Sequence, residues 1–319
     1  LMTVPFIDLA TQQTRLRPEI DARLNNVLDH GRYIMGPEVT ELEDELAAYS
    51  GARYCISCGN GTDALQIALM ALGVGPGDEV ITPAFTYAAT AEAVKLLGAH
   101  PVYADIDLKT FCINTKTLDS LVSNRTKAII PVSLFGHCAD MDAVNQIAEY
   151  RGVRVIEDAA QSFGARYRDK KSCNLSMLAT TSFFPAKPLG CYGDGGAIFV
   201  RNEDLFEKIS AITKHGQKGR YNYVDIGVNS RLDTIQAAVL LEKIKIYEDE
   251  IIKRNIVADK YNELLSSTSY LNIPESTDPN NRSVWAQYTL ILSTEIAPFR
   301  EQIMGQLKKV DIPTALYYP

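Results

Sequence analysis

From residue 53 to residue 200 the chain alternates short apolar runs with segments of helical spacing, and few architectures accept that alternation. Tyr54-Cys55-Ile56-Ser57, Glu79-Val80-Ile81-Thr82, Pro101-Val102-Tyr103-Ala104, Ala128-Ile129-Ile130-Pro131, Val153-Arg154-Val155-Ile156 and Ala197-Ile198-Phe199-Val200 read as strands. Helices are expected between them over 62–72, 88–97 and 140–150, and after them over 203–214. Strand, helix and strand in repetition lay the strands parallel and cover the sheet with helices. The expected fold class is α/β.

The flanks read differently. Residues 1–36 form an N-terminal arm whose helix is marked by Ile20, Leu24, Val27 and Leu28, and a Glu-rich helix follows over 38–49. A long helix is expected from near Asp233 to about Leu265, with Ile235, Ala238, Val239, Leu241 and Ile244 on its buried side. Such a helix commonly joins two domains, so residues 37–245 are expected to form a large domain and 246–319 a small α+β domain. The latter holds an expected strand over 284–292 and a helix over 298–309. Leu316-Tyr317-Tyr318-Pro319 follows what reads as the start of another strand, and the small domain reads as incomplete.

A net charge of −7 argues against a general nucleic-acid or anionic-membrane surface, while a local basic pocket for a small anion stays open. No run of about 18 apolar residues and no basic-then-apolar leader appears, so the expected location is the cytoplasm. Six scattered cysteines do not make a disulfide scaffold. Cys55 and Cys58 match C-x-x-C without a second pair, and the four histidines lack ligand spacing, so structural thiols and no metal site are expected.

Chemistry concentrates in one segment. Thr180 to Gly196 places Lys187 in an apolar turn, Phe184-Pro185-Ala186-Lys187-Pro188-Leu189-Gly190, with no basic neighbour. An amine in a partly dry setting has a lowered pKa and can act as nucleophile or base; the alternative is a lysine reaching from a loop to water. Three other segments lie where strands of a parallel sheet end and ligands collect. Cys58-Gly59-Asn60-Gly61-Thr62-Asp63 puts backbone N–H groups and the Thr62 hydroxyl at a helix N-terminus, an anion site or an ordinary capped Asn-Gly turn. Asp158 closes a strand ahead of Ala159-Ala160-Gln161, as a cap or as the partner of a cationic ring nitrogen. Tyr87, after Ala84-Phe85-Thr86, offers a ring for stacking or for packing. Anion site, strand-end carboxylate, aromatic plate and lysine together match the phosphate, ring nitrogen, ring face and aldehyde of pyridoxal phosphate.

The ordered motifs Asn60-Gly61-Thr62-Asp63-Ala64-Leu65, Pro83-Ala84-Phe85-Thr86-Tyr87, Ile156-Glu157-Asp158-Ala159-Ala160-Gln161, Ser182-Phe183-Phe184-Pro185-Ala186-Lys187, Gly193-Asp194-Gly195-Gly196 and Gly227-Val228-Asn229-Ser230-Arg231-Leu232-Asp233 resemble the DegT/StrS family of nucleotide-sugar aminotransferases over nearly the whole chain. The resemblance implies the aspartate aminotransferase fold type I, with a mainly parallel seven-stranded sheet between helices and a smaller C-terminal α+β domain. It implies that Lys187 bonds the cofactor aldehyde, Asp158 the ring nitrogen and Gln161 the phenolic oxygen. Tyr87 would stack on the ring, and Gly61, Thr62 and Ser182 would bind the phosphate. It further implies a homodimer with shared active sites, in which Asn229 reaches the neighbouring subunit's cofactor and Arg231 lies near the substrate. Ala186 stands where many relatives have Ser, and relatives continue for several tens of residues beyond the position of Pro319.

Within the family, His30-Gly31-Arg32-Tyr33-Ile34-Met35-Gly36-Pro37-Glu38-Val39, Lys171-Ser172-Cys173-Asn174-Leu175-Ser176 and Pro188-Leu189-Gly190-Cys191-Tyr192-Gly193 look closest to enzymes that aminate a UDP-2-acetamido-2-deoxy-3-oxo-hexuronate at C3 with L-glutamate, for surface polysaccharide. Arg231, with His215 or Arg220, would then suit a substrate carboxylate. Amination of another 3-keto or 4-keto nucleotide hexose and a non-catalytic regulator are the alternatives. A dehydratase on the same scaffold would carry histidine in place of Lys187.

Overall fold

In the computed structural model, which describes residues 4–273 and 280–318, the chain opens with helices α1 (Leu9–His30) and α2 (Pro37–Ser50). The body alternates β1 (Tyr54–Cys58), α3 (Gly61–Ala71), β2 (Glu79–Pro83), α4 (Ala89–Leu96), β3 (His100–Ala104), α5 (Thr115–Leu121), β4 (Thr126–Ile129), α6 (Met141–Arg151) and β5 (Arg154–Asp158). A short hairpin, β6 (Arg166–Tyr167) with β7 (Lys170–Lys171), precedes β8 (Leu178–Ser182), β9 (Gly196–Val200), α7 (Glu203–Ile212) and the long α8 (Thr234–Leu265). The last elements are β10 (Leu271–Asn272), β11 (Ile291–Leu292) and α9 (Arg300–Lys309).

Seven strands form one sheet in the order β1-β9-β8-β5-β4-β2-β3. β3, β2, β4, β5 and β8 run parallel, as the strand–helix alternation predicts, and β9 runs against its neighbours β8 and β1. The reversal has a local cause. Parallel neighbours need a long crossover, usually a helix, whereas β8 and β9 are joined by residues 183–195 without one and pair from Ser182 opposite Gly196. That helix-free connection carries Lys187.

Alternate residues of the buried strands feed opposite cores. In β5, Val155 faces the cluster built with α5 and α6, and Ile156 faces the one built with α3 and α4. In β9, Ile198 and Val200 join the α3 side while Ala197 and Phe199 pack with α2 and α8. Helices therefore cover both faces, and only the strand ends are left open to a ligand. Cys55 and Cys58 are unbridged and buried, and burial pushes both thiols well up from their ordinary range, away from the reactive thiolate. Among the described residues no helix is long and apolar enough to cross a membrane.

Several expectations change. Leu28 is exposed because it lies roughly a quarter-turn off the stripe of Ile20 and Val27, which are buried with α1 against α8. In α8 the exposed Ile235 gives way to a stretch buried on every side from Ala237 to Lys243, since the helix there runs between α1 and the sheet. The expected strand over 284–292 shrinks to Ile291–Leu292, paired with β10. Trp285 has a left-handed φ of 46°, and the backbone around it bonds loops instead of a strand, Arg282 to Arg166 and Val284 to Gly136. Nor do residues 312–318 form a strand: the Tyr317 and Tyr318 rings pack against Phe85 and Phe135. α9 follows the expected helix closely.

Candidate active site

The carboxyl ends of β5 and β8 and the start of α3 converge on one place. Asp158 ends β5 and is buried; its carboxylate accepts from the Thr90 hydroxyl at 3.2 Å and from the Ala160 N–H at 3.1 Å. Burial pushes its carboxyl up from the usual range, opposed by the Ala160 N–H, the Lys187 charge and Thr90. Lys187 closes a turn in which its N–H donates to the Phe184 carbonyl at 2.8 Å. Burial lowers its amine pKa and the Asp158 charge works against that. An amine with a lowered pKa beside a buried carboxylate is an arrangement able to accept and return a proton.

At the start of α3, the Asn60 side chain accepts from the Asp63 N–H at 2.8 Å, while Gly61 and Thr62 occupy the first turn, where N–H groups have no partner inside the helix. Gly61 has no room for a side chain, because a Cβ there would lie 2.7 Å from the Ser182 Cβ. That close approach sets the Ser182 side chain of β8 against a helix N-terminus, which makes a cradle for an anion.

On the other flank, Gln161 is buried: its Oε1 accepts from the Phe135 N–H at 2.8 Å, and its Nε2 donates to the Tyr318 hydroxyl at 3.1 Å, which leaves one amide N–H for a ligand. Tyr87 is 62% exposed one turn ahead of Thr90, whose N–H donates to the Tyr87 carbonyl at 3.3 Å. Burial pushes the Tyr318 phenol up, opposed by the hydrogen bond from Gln161, and the Asp158 charge adds to the rise.

Asn229, Arg231, His215 and Arg220 lie on the segment between α7 and α8. Ser230 ties this segment to α3, donating to Asp63 at 2.7 Å and accepting from the Gly59 N–H at 2.9 Å. Asn229 beside it is exposed, and Arg231 is half-buried with an Nε that is buried and has no hydrogen-bond partner. His215 and Arg220 are exposed, the latter lying 5.1 Å from the Tyr221 ring centroid. Among the described residues no hydrogen bond or ion pair within one protomer joins any of these four to Lys187 or Asp158. Within one chain Gly61 meets Ser182, Asp158 lies at the end of β5 beside Thr90, and Gln161 meets Tyr318, while Ser230 holds the segment of Asn229 and Arg231 at the start of α3.

Over residues 14–319 the sequence matches the DegT/DnrJ/EryC1/StrS aminotransferase family. The chain belongs to that family. UDP-2-acetamido-2-deoxy-3-oxo-D-glucuronate aminotransferase of Pseudomonas aeruginosa is 58% identical over 316 residues, 99% of this chain and 86% of that protein. The structure of DesV from S. venezuelae, in complex with a ketimine intermediate, has a TM-score of 0.96 at 38% identity, covering 100% of this chain and 84% of DesV. That of NtdA from Bacillus subtilis, with bound cofactor PMP, has a TM-score of 0.91 at 35% identity, covering 100% of this chain and 73% of NtdA.

As a member of the DegT/DnrJ/EryC1/StrS family the chain is an aminotransferase. Two side chains of its site escaped the sequence analysis. Thr90 follows Tyr87 by three residues, close to one helical turn, and that spacing was a usable sign of a shared face. Tyr318 meets Gln161 across 157 residues, and no local pattern announces such a contact.

Proposed function

We propose that this chain, with pyridoxal phosphate as its cofactor, transfers the amino group of L-glutamate to C3 of a UDP-2-acetamido-2-deoxy-3-oxo-glucuronate, in the synthesis of surface polysaccharide (O-antigen) in the cytoplasm. The observation that carries this reading is that Lys187, on the connection after β8, and the buried Asp158, at the end of the neighbouring strand β5, come within electrostatic reach of each other, with Ser182 of β8 set against the α3 N-terminus. The 58% likeness to the Pseudomonas enzyme, along nearly the full chain, supports the choice of sugar.

The residues fit the cofactor. Gly61, Thr62 and Ser182 would hold its phosphate, Asp158 its ring nitrogen, Gln161 its phenolic oxygen, Tyr87 its ring face and Lys187 its aldehyde carbon. When bound, pyridoxal phosphate supplies an electron sink for the C–H bond that breaks beside an amino group. Asp158, a buried anion, favours a protonated nitrogen opposite it. Nζ of Lys187, neutral at a lower pH than an ordinary lysine amine, takes a proton from one carbon and returns it to another. Glutamate leaves as 2-oxoglutarate before the keto sugar is aminated, so initial-rate plots for the two substrates are expected to be parallel, as ping-pong kinetics require.

The working unit in this reading is a homodimer. Asn229 reaches the partner's cofactor phosphate, while Arg231, with its unpaired buried Nε, and His215 or Arg220 meet the uronate carboxylate from across the interface. Residues 1–36 serve as the arm, 37–245 as the large domain and 246–319 as the small one.

Gly61→Ala tests the cradle. The overpacked contact with Ser182 is worth about 1–3 kcal/mol and is expected to weaken cofactor binding roughly tenfold, read by fluorescence titration. For the substrate, the purified protein is incubated with glutamate and a panel of nucleotide keto sugars, with mass detection of amino products. An amino sugar formed from the 3-oxo-glucuronate in preference to 4-keto and neutral 3-keto sugars is the expected result; a preference for either of the others overturns the choice of substrate.

A further inference from the structure

Lys243 is a cation buried in α8, 2% exposed, which the reaction described above does not use. Its Nζ donates to the Gly190 carbonyl at 2.6 Å and lies 4.5 Å from the Tyr192 ring centroid. No ion pair neutralises it among the described residues. Lysine is rarely buried without an opposite charge, and this one sits on the segment that follows Lys187.

Gln236, two helical turns earlier on α8, accepts from the Tyr192 N–H at 2.9 Å. Lys243 and Gln236 thus grip residues 190 and 192 from one face of the helix. Between them Cys191 is anchored by its N–H, which donates to the Phe183 carbonyl at 2.8 Å. Gly190 lies hard against the turn that carries Lys187: a Cβ on it would come within 2.5 Å of the Pro185 carbonyl oxygen and 2.6 Å of that of Phe184. The Phe184 oxygen is the same one that accepts the Lys187 N–H. Contact is continuous from the Lys243 ammonium through Gly190 to the backbone of Lys187.

We propose that Lys243 is a positioning residue for Lys187, holding the Gly190 carbonyl so that the 184–187 turn keeps the reacting amine in its place. The proposal rests on Lys187 as the reacting lysine. The energetics separate this role from that of a structural staple. Burial lowers the Lys243 pKa to about 8, so below that pH the fold carries the full cost of a desolvated charge. Between pH 8 and the ordinary lysine range the native state releases its proton before the unfolded chain does, and this contribution to stability rises with pH. The Cys191 sulfur and the Glu250 carboxylate are the groups that oppose the shift. A staple is expected to stabilise the protein, whereas this ammonium at pH 7 does the opposite.

The test is Lys243→Met, which keeps the stem and removes charge and donors. Borohydride reduction of the cofactor-loaded wild type, followed by peptide mapping, first checks that Lys187 carries the cofactor, so that failure of that assignment is seen separately. Competitive acetylation of the cofactor-free protein then reports Lys187 reactivity without any turnover. The expected result at pH 7 is a melting temperature at or above that of wild type, a Lys187 acetylation rate changed several-fold and a kcat lowered at least ~10-fold, in keeping with the cost of a misplaced reacting group. A folded Met variant with unchanged Lys187 reactivity and kcat overturns the proposal, as does a loss of kcat that only follows the unfolded fraction. Should the Met variant not fold, Lys243→Arg carries the test. A guanidinium is too large for the space under Gly190, so a changed Lys187 acetylation rate and a lowered kcat are expected here too, and a folded Arg variant with both unchanged overturns the proposal.

Discussion

Lys187→Ala is expected to lower amino transfer by about 10³-fold or more, because one substitution removes both the nucleophile and the proton carrier. The fold is expected to survive it. The lysine is half-buried in a turn closed by backbone bonds, from the Lys187 N–H to Phe184 and from the Cys191 N–H to Phe183, and an alanine preserves both. Stopped-flow absorbance in a single turnover with glutamate reads the effect, with circular dichroism as the check on folding. Conversion of the cofactor at the wild-type rate would remove Lys187 from the reaction. Borohydride with pyridoxal phosphate is expected to label the peptide containing residue 187 in wild type and to leave it unlabelled in the variant.

Asp158→Asn is expected to lower kcat/KM by about 10²–10³-fold while leaving the protein at least as stable at neutral pH. The two effects have one origin. Burial raises the Asp158 pKa in the folded state above its unfolded value, so its contribution to stability is fully present below the ordinary carboxylate range and is lost as pH rises through the folded value. At pH 7 the fold therefore carries a desolvated anion, and a neutral amide of the same shape relieves that cost. It can keep the Thr90 and Ala160 contacts at 3.2 and 3.1 Å. Catalysis loses what stability gains, since an amide cannot favour a protonated ring nitrogen and no longer opposes the lowering of the Lys187 pKa. Thermal melts from below the ordinary carboxylate range up to pH 8 check the sign: the variant's advantage over wild type should grow as pH rises through the folded value. A melting temperature that falls together with activity would show that Asp158 works chiefly as a structural cap.

Much of this architecture was legible because its rules are local. The apolar pairs Val80-Ile81 and Val155-Ile156 mark β2 and β5, since a parallel strand covered on both faces needs apolar side chains at successive central positions, with the polar residues at its ends. Lys187 and Asp158 were legible because each is a charged group at the end of an apolar run. The misreadings have physical causes as well. Val284 reads as part of a strand because it is apolar, but it is buried in the core beside α8 and its N–H donates to the Gly136 carbonyl. The segment ahead of Leu316 reads as a strand start, but no strand forms there, and the two tyrosines that follow pack on Phe85 and Phe135.

The division between the two levels follows from the range of the forces. Periodicity, caps and turn residues act over a few positions, so the amino-acid sequence alone determined the strand–helix alternation, the α3 N-terminus at Gly61 and the lysine turn after β8. Contacts between distant segments belong to the folded chain. Packing decided that β9 runs antiparallel, that Tyr318 closes on Gln161 and that the charge of Lys243 is held under Gly190, because those pairings depend on which surfaces the sheet and α8 bring together.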